Sequence, residues 1–92
     1  MTKAALLSVT GGVQGVGYRA WAVREARKRG LRGWVRNRLD GSVDVLVIGE
    51  EPKIADMAAV CRKGPMLAEV EDVAISPALD DGSLDFTERP TG

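Results

Sequence analysis

The chain contains no histidine, a single cysteine (Cys61) and few aromatics, with two Trp, one Tyr and one Phe among 92 residues. Without imidazole there is no phosphohistidine intermediate and no histidine general base, and the commonest metal ligand is missing. A lone cysteine excludes an intramolecular disulfide, so nothing marks a secreted disulfide scaffold and the cytoplasm is the expected compartment. No apolar run is long enough for a signal-peptide core or a membrane span, since the strand-like stretch after Met1-Thr2-Lys3 stops at Gly11-Gly12. Net charge is also absent, 13 basic residues balancing 13 acidic ones, so the whole chain has no bias toward nucleic acid or a membrane surface. At this length and 45% hydrophobic content, one core fits and a second does not, because such a chain buries only about 60–65% of its unfolded surface. The expectation is one domain over residues 1–92, free-standing, and monomeric because no large apolar face is left over.

What is present is unevenly placed. Residues 1–38 hold nine Lys and Arg against the one acid Glu25, a net +8, whereas residues 39–92 hold four against twelve, a net −8. A small-anion site therefore belongs in the first half, and the acidic half argues against wrapping a long polyanion. Arg24, Arg27, Lys28 and Arg29 read as a solvated helix face that steers anions.

Residues 4–10 are apolar and end at glycines, as a buried strand does. After a glycine-rich loop at 11–17, residues 18–29 turn helical, with Tyr18, Ala22 and Ala26 on one stripe and Gly30 at the C-terminal position. Residues 31–38 and 42–48 read as antiparallel strands joined at Asp40-Gly41, with Val43, Val45 and Val47 on one face. Pro52 opens a second helix at its first position; Ile54, Met57, Ala58 and Cys61 share its buried side, Arg62-Lys63 lie at its end, and Gly64-Pro65 stop it. Residues 68–75 form another strand, but Val70 falls on the opposite parity to Val73 and Ile75, which predicts a bulge near Asp72. Residues 84–88 make a weak last strand. This order gives an α+β, ferredoxin-like split βαβ fold (βαββαβ): an antiparallel sheet with two helices on one face.

Fold alone does not assign function; the loop is more informative. In Gly11-Gly12-Val13-Gln14-Gly15-Val16-Gly17-Tyr18-Arg19, glycines let backbone N–H groups converge, and the helix start adds unsatisfied donors and partial positive charge, a setting suited to phosphate. Arg19 adds a planar fork for two phosphate oxygens. Gly15-x-Gly17-x-x-Ala20, with Asp40 about twenty residues on, matches a loose dinucleotide fingerprint, but Asp40-Gly41 is a hairpin turn and 92 residues cannot supply the parallel sheet such a site requires. Gly12-x-x-x-x-Gly17 has P-loop spacing, yet Tyr18-Arg19 stands where Lys-Ser/Thr is needed, which excludes a nucleotide triphosphatase. Cys61 reads as a core residue, and the residue six places on is Leu67, not the arginine of a Cys-x5-Arg phosphatase loop.

Gly11-x-Val13-Gln14-Gly15-Val16-x-Tyr18-Arg19, Ala26, Gly30-Leu31-x-Gly33-Trp34-Val35-Arg36-Asn37, Asp40-Gly41-Ser42-Val43 and Gly64-Pro65-x-x-Ala68-x-Val70, in that order, resemble the acylphosphatase family. The resemblance implies a metal-free, cofactor-free enzyme that hydrolyses the carboxyl-phosphate anhydride of a small-molecule acyl phosphate. It implies that the loop of Gln14, Gly15, Val16, Gly17, Tyr18 and Arg19 cradles the phosphoryl group, that Arg19 clamps it, and that Asn37 positions the attacking water. The sequence departs from the family at Gly12, where a basic residue is common, at Arg29, where an apolar one is, and in a tail ending Arg89-Pro90-Thr91-Gly92.

Two other classes fit parts of the pattern. An RNA-binding module shares the topology, and Arg32-Gly33-Trp34-Val35 faintly matches its motif, but the further stacking aromatics are missing. A non-catalytic phosphate-binding or regulatory domain is the other. Neither nucleic acid nor membrane is an expected partner.

Overall fold

Strand alternation and two amphipathic helices account for the architecture. In a computed structural model describing all residues from 1 to 92, the chain forms β1 (Thr2–Gly12), α1 (Tyr18–Lys28), β2 (Arg32–Asn37), β3 (Val43–Glu50), α2 (Glu51–Cys61), β4 (Glu69–Pro77) and β5 (Phe86–Glu88). The sheet order is β4-β1-β3-β2-β5. The four longer strands pair antiparallel, as the sequence implied, while β5 adds a short parallel edge beside β2 and makes the sheet mixed.

Ala5, Leu7 and Val9 of β1 face the same side as Val43, Val45 and Val47 of β3. There they pack against Tyr18, Ala22 and Ala26 of α1 and Ile54, Met57, Ala58 and Cys61 of α2. Both helix stripes are therefore the ones the spacing marks. Helix α2 starts one residue before Pro52, which sits in its first turn, and Arg62 and Lys63 fall just beyond its last turn. The bulge lies where parity broke: Thr10 pairs with Asp72 and Gly11 with Val70, leaving Glu71 as the extra residue.

The opposite sheet face departs from simple alternation. Trp34, Leu46 and Ile48 are buried there too, packed against Ala4, Leu6 and Ala78. The segment after β4 is drawn toward this face by Arg32–Asp80 at 2.7 Å and by Trp34 Nε1 donating to Asp81 Oδ2 at 3.0 Å. Beyond β5, Arg89 stacks 4.8 Å from the Trp34 ring centroid. Its N–H donates to Val35 O, and Gly92 N–H donates to Asn37 O at 3.1 Å. Pro90 is tolerated because it lies past the three-residue edge strand. No helix is long and apolar enough to cross a membrane.

Ion pairs dissolve the charge division between the halves. Arg27 meets Asp85 at 3.1 Å, Arg29 meets Asp56 at 2.8 Å, and Arg38 meets Asp44 at 3.3 Å. Arg29 is therefore no part of a solvated face: its side chain is 16% exposed and also bonds Glu25.

Candidate active site

Strand parity delivers one of the site residues. Gly33, Val35 and Asn37 pair with Val47, Val45 and Val43, so Asn37 projects to the helix-covered face at the very end of β2. Beside that end, the chain leaves β1 and passes through the glycine loop into α1. Gly15 and Gly17 have φ of 75° and 78°, conformations that cost little only for glycine. A Cβ at either would meet nothing within 4 Å, so backbone conformation, not crowding, requires them. Gly17 occupies the N-cap of α1 without any side-chain cap, and no acid stands in the first turn.

The loop is consequently a set of unanswered donors. None of the backbone N–H groups of residues 14–20 has an acceptor within the chain; the first that does after Val13 is Trp21, bonded to Gly17 O at 3.1 Å. Helix starts carry partial positive charge and bind anions for this reason. Arg19 adds a guanidinium that makes no hydrogen bond to any protein acceptor, its nearest carboxylate being Glu88 Oε1 at 3.9 Å from Nε.

These groups line one cleft of about 150 Å³, formed by Val13, Gly15, Gly17, Tyr18, Arg19, Ala20, Asn37 and Glu88. Arg19 and Asn37, distant in sequence, both line it. Larger hollows of about 370 and 420 Å³ lie around Lys3 and Ala4 at another part of the sheet; neither gathers donors as the loop does, and size alone assigns no chemistry.

The other loop residues divide. Gln14 points its side chain away from the cleft lining, donating from Nε2 to Arg38 O at 2.8 Å and Ser42 O at 2.9 Å. Val16 packs against the core. Tyr18 lines the cleft, but its hydroxyl donates to Cys61 O at 2.7 Å, and burial raises its pKa far above the ordinary phenol value. It is thus a neutral anchor between α1 and α2. Burial likewise pushes the Cys61 thiol up to about 11. Across the cleft, the β2–β3 turn is fixed by Asp40 Oδ1, which accepts from Ser42 N at 2.9 Å and Ser42 Oγ at 2.6 Å, lowering the Asp40 pKa. Sequence reasoning did not place Glu88 here. Its only signal was the weak terminal strand, and the register of Glu88 beside Val35 is a long-range fact.

The sequence model of the acylphosphatase family matches residues 5–87. The chain belongs to the acylphosphatase family. The acylphosphatase of Acidiphilium cryptum is 44% identical over 86 residues, covering 94% of both chains. That of Rhodospirillum rubrum is 42% identical over 89 residues, covering 97% of this chain and 98% of the relative. The crystal structure of the Bacillus subtilis acylphosphatase is similar with a TM-score of 0.91 at 33% identity, covering 97% of this chain and 99% of that one. The family assignment makes the chain an acyl phosphate hydrolase with a small-molecule substrate.

Proposed function

We propose that Arg19 and Asn37 are the catalytic residues of acyl phosphate hydrolysis and that loop 14–19 is the phosphoryl cradle. The cleft that holds both residues against the unanswered N–H donors is the observation that carries this reading. Gly15, Val16, Gly17, Tyr18 and Arg19 contribute through backbone N–H groups; so does Gln14, whose side-chain amide is already engaged. Arg19 adds a fork matched to two phosphoryl oxygens. The Asn37 amide offers one acceptor and two donors, enough to orient water without ionising.

In the reaction, water oxygen attacks phosphorus while the bond from phosphorus to the acyl oxygen breaks, and the carboxylate departs with the electron pair. A phosphoryl oxygen of the substrate takes the water proton. Because the anhydride is already activated, positioning and charge stabilisation suffice and no strong base is required. The same reading makes the enzyme a single domain over residues 1–92, metal- and cofactor-independent, cytoplasmic and monomeric, with no nucleic-acid partner.

Hydrolysis of benzoyl phosphate in excess metal chelator tests it. Arg19→Ala and Asn37→Ala should each reduce turnover by roughly a hundredfold or more, about 3 kcal/mol. Wild-type turnover in either variant, or its loss on chelation, overturns the reading.

A further inference from the structure

Four of the nine arginines hydrogen-bond a carboxylate, namely Arg27, Arg29, Arg32 and Arg38, as Arg29 does Asp56 at 2.8 Å and Arg32 does Asp80 at 2.7 Å. Arg19 differs. Glu88 Oε1 stands 3.9 Å from its Nε, beyond hydrogen-bond reach, so the guanidinium donors stay free while a negative charge sits beside them. Glu88 lines the same cleft as Gly15, Gly17 and Asn37. A cleft built of donors thus contains one of the chain's own carboxylates, delivered by the parallel pairing of β5 with β2.

We propose that Glu88 sets the affinity of this cleft for phosphoryl anions, a fixed negative charge that weakens the hold on substrate and product alike, so that inorganic phosphate is released readily. The proposal rests on the reading of Arg19 as the phosphoryl clamp. A phosphoryl group held by Arg19 lies within a few ångströms of Glu88, and a dianion is opposed twice as strongly as a monoanion at equal distance. The two side chains are 36% and 49% exposed, so solvent and salt screen the repulsion without removing it. The effect expected is roughly five- to tenfold in phosphate affinity at low ionic strength.

The test measures the inhibition constant of inorganic phosphate and the KM for benzoyl phosphate in the wild type, Glu88→Gln and Glu88→Asp, at low and raised salt. Glu88→Gln is isosteric on a half-exposed strand residue. It should lower both constants about five- to tenfold at low salt, without raising kcat, and added salt should narrow the gap. Glu88→Asp, which keeps the charge, should bind phosphate as weakly as the wild type. Phosphate binding that is unchanged or weaker in Glu88→Gln overturns the proposal. Arg19→Ala separates the underlying reading: phosphate inhibition at wild-type strength in that variant sinks the clamp. If Glu88→Gln nonetheless tightens binding in that case, the anion lies away from Arg19, and the pairing argued here is wrong as well.

Discussion

The side-chain amide of Gln14 donates to the backbone carbonyl of Arg38 at 2.8 Å, joining the end of the glycine loop to the residue directly after Asn37. A second bond to Ser42 O spans the same hairpin. The amide therefore ties the loop's donors to the strand end that presents Asn37. Gln14→Leu removes two neutral hydrogen bonds and should cost about 1–2 kcal/mol of stability in urea unfolding. Because misplaced groups lose catalysis steeply, kcat/KM should fall about tenfold or more. Unchanged kinetics in a destabilised variant would show that the latch serves the fold alone.

Gly17→Ala probes the loop's conformation without adding a clash. The new Cβ meets nothing within 4 Å, so the penalty is the φ of 78° alone. About 1–2 kcal/mol of stability should be lost. Hydrolysis of benzoyl phosphate should suffer more than stability does, since relief of the strain turns N–H groups out of the cleft. An alanine variant as stable as the wild type contradicts this.

Tyr18→Phe is expected to separate anchoring from chemistry. The lost bond to Cys61 O is buried, and its removal should cost about 1–3 kcal/mol. With the hydroxyl turned into the core, kcat should stay within about twofold. A hundredfold loss of kcat would give the phenol a role at the phosphoryl group and refute its assignment as an anchor.

High pH should weaken the fold through the buried thiol of Cys61. Cys61 is buried and its pKa is raised to about 11 from 9.0; burial raises that of Tyr18 as well. Between about pH 9 and 11 the unfolded chain gives up the thiol proton and the folded chain keeps it. The thiol's contribution is thus complete below pH 9 and is lost as pH rises through 11, about 2–3 kcal/mol in all. Urea midpoints at pH 8 and pH 10.5 measure this, and Cys61→Ala should flatten the decline. A midpoint that does not move over that interval rules the linkage out.

Elements whose signals are local were readable from the residues. The stripe of Tyr18, Ala22 and Ala26 and that of Ile54, Met57, Ala58 and Cys61 follow from helical period alone, and the parity break at Val70 located the bulge. Arg19 stood out by its chemistry beside a glycine loop and Asn37 only through a family pattern; both line one cleft, and their roles stay a proposal. What escaped depends on distant segments. Leu46 and Ile48 lie on the face opposite Val43, Val45 and Val47, where Ala78 packs on their cluster and Asp81 holds its Trp34. Gln14 belongs to the loop in sequence, but its side chain serves the hairpin across from it. Glu88 enters the cleft only through a three-residue parallel pairing, too short to leave a periodic signature. The division of charge suggested a basic first half, and ion pairs between the two halves consume much of it.

Strand β1 is hydrogen-bonded on both sides, to β3 and to β4, and it runs directly into the loop whose N–H groups are unanswered. Amide hydrogen exchange should therefore change abruptly within a few residues, from the slow limit of global unfolding at Leu7 and Val9 to nearly unhindered exchange in the loop before Trp21. The donors proposed to meet the substrate are open to solvent while their mounting is among the last parts of the chain to come apart. An anion can engage them without any opening of the fold, and phosphate added at saturating concentration would slow exchange in the loop while leaving β1 as it was.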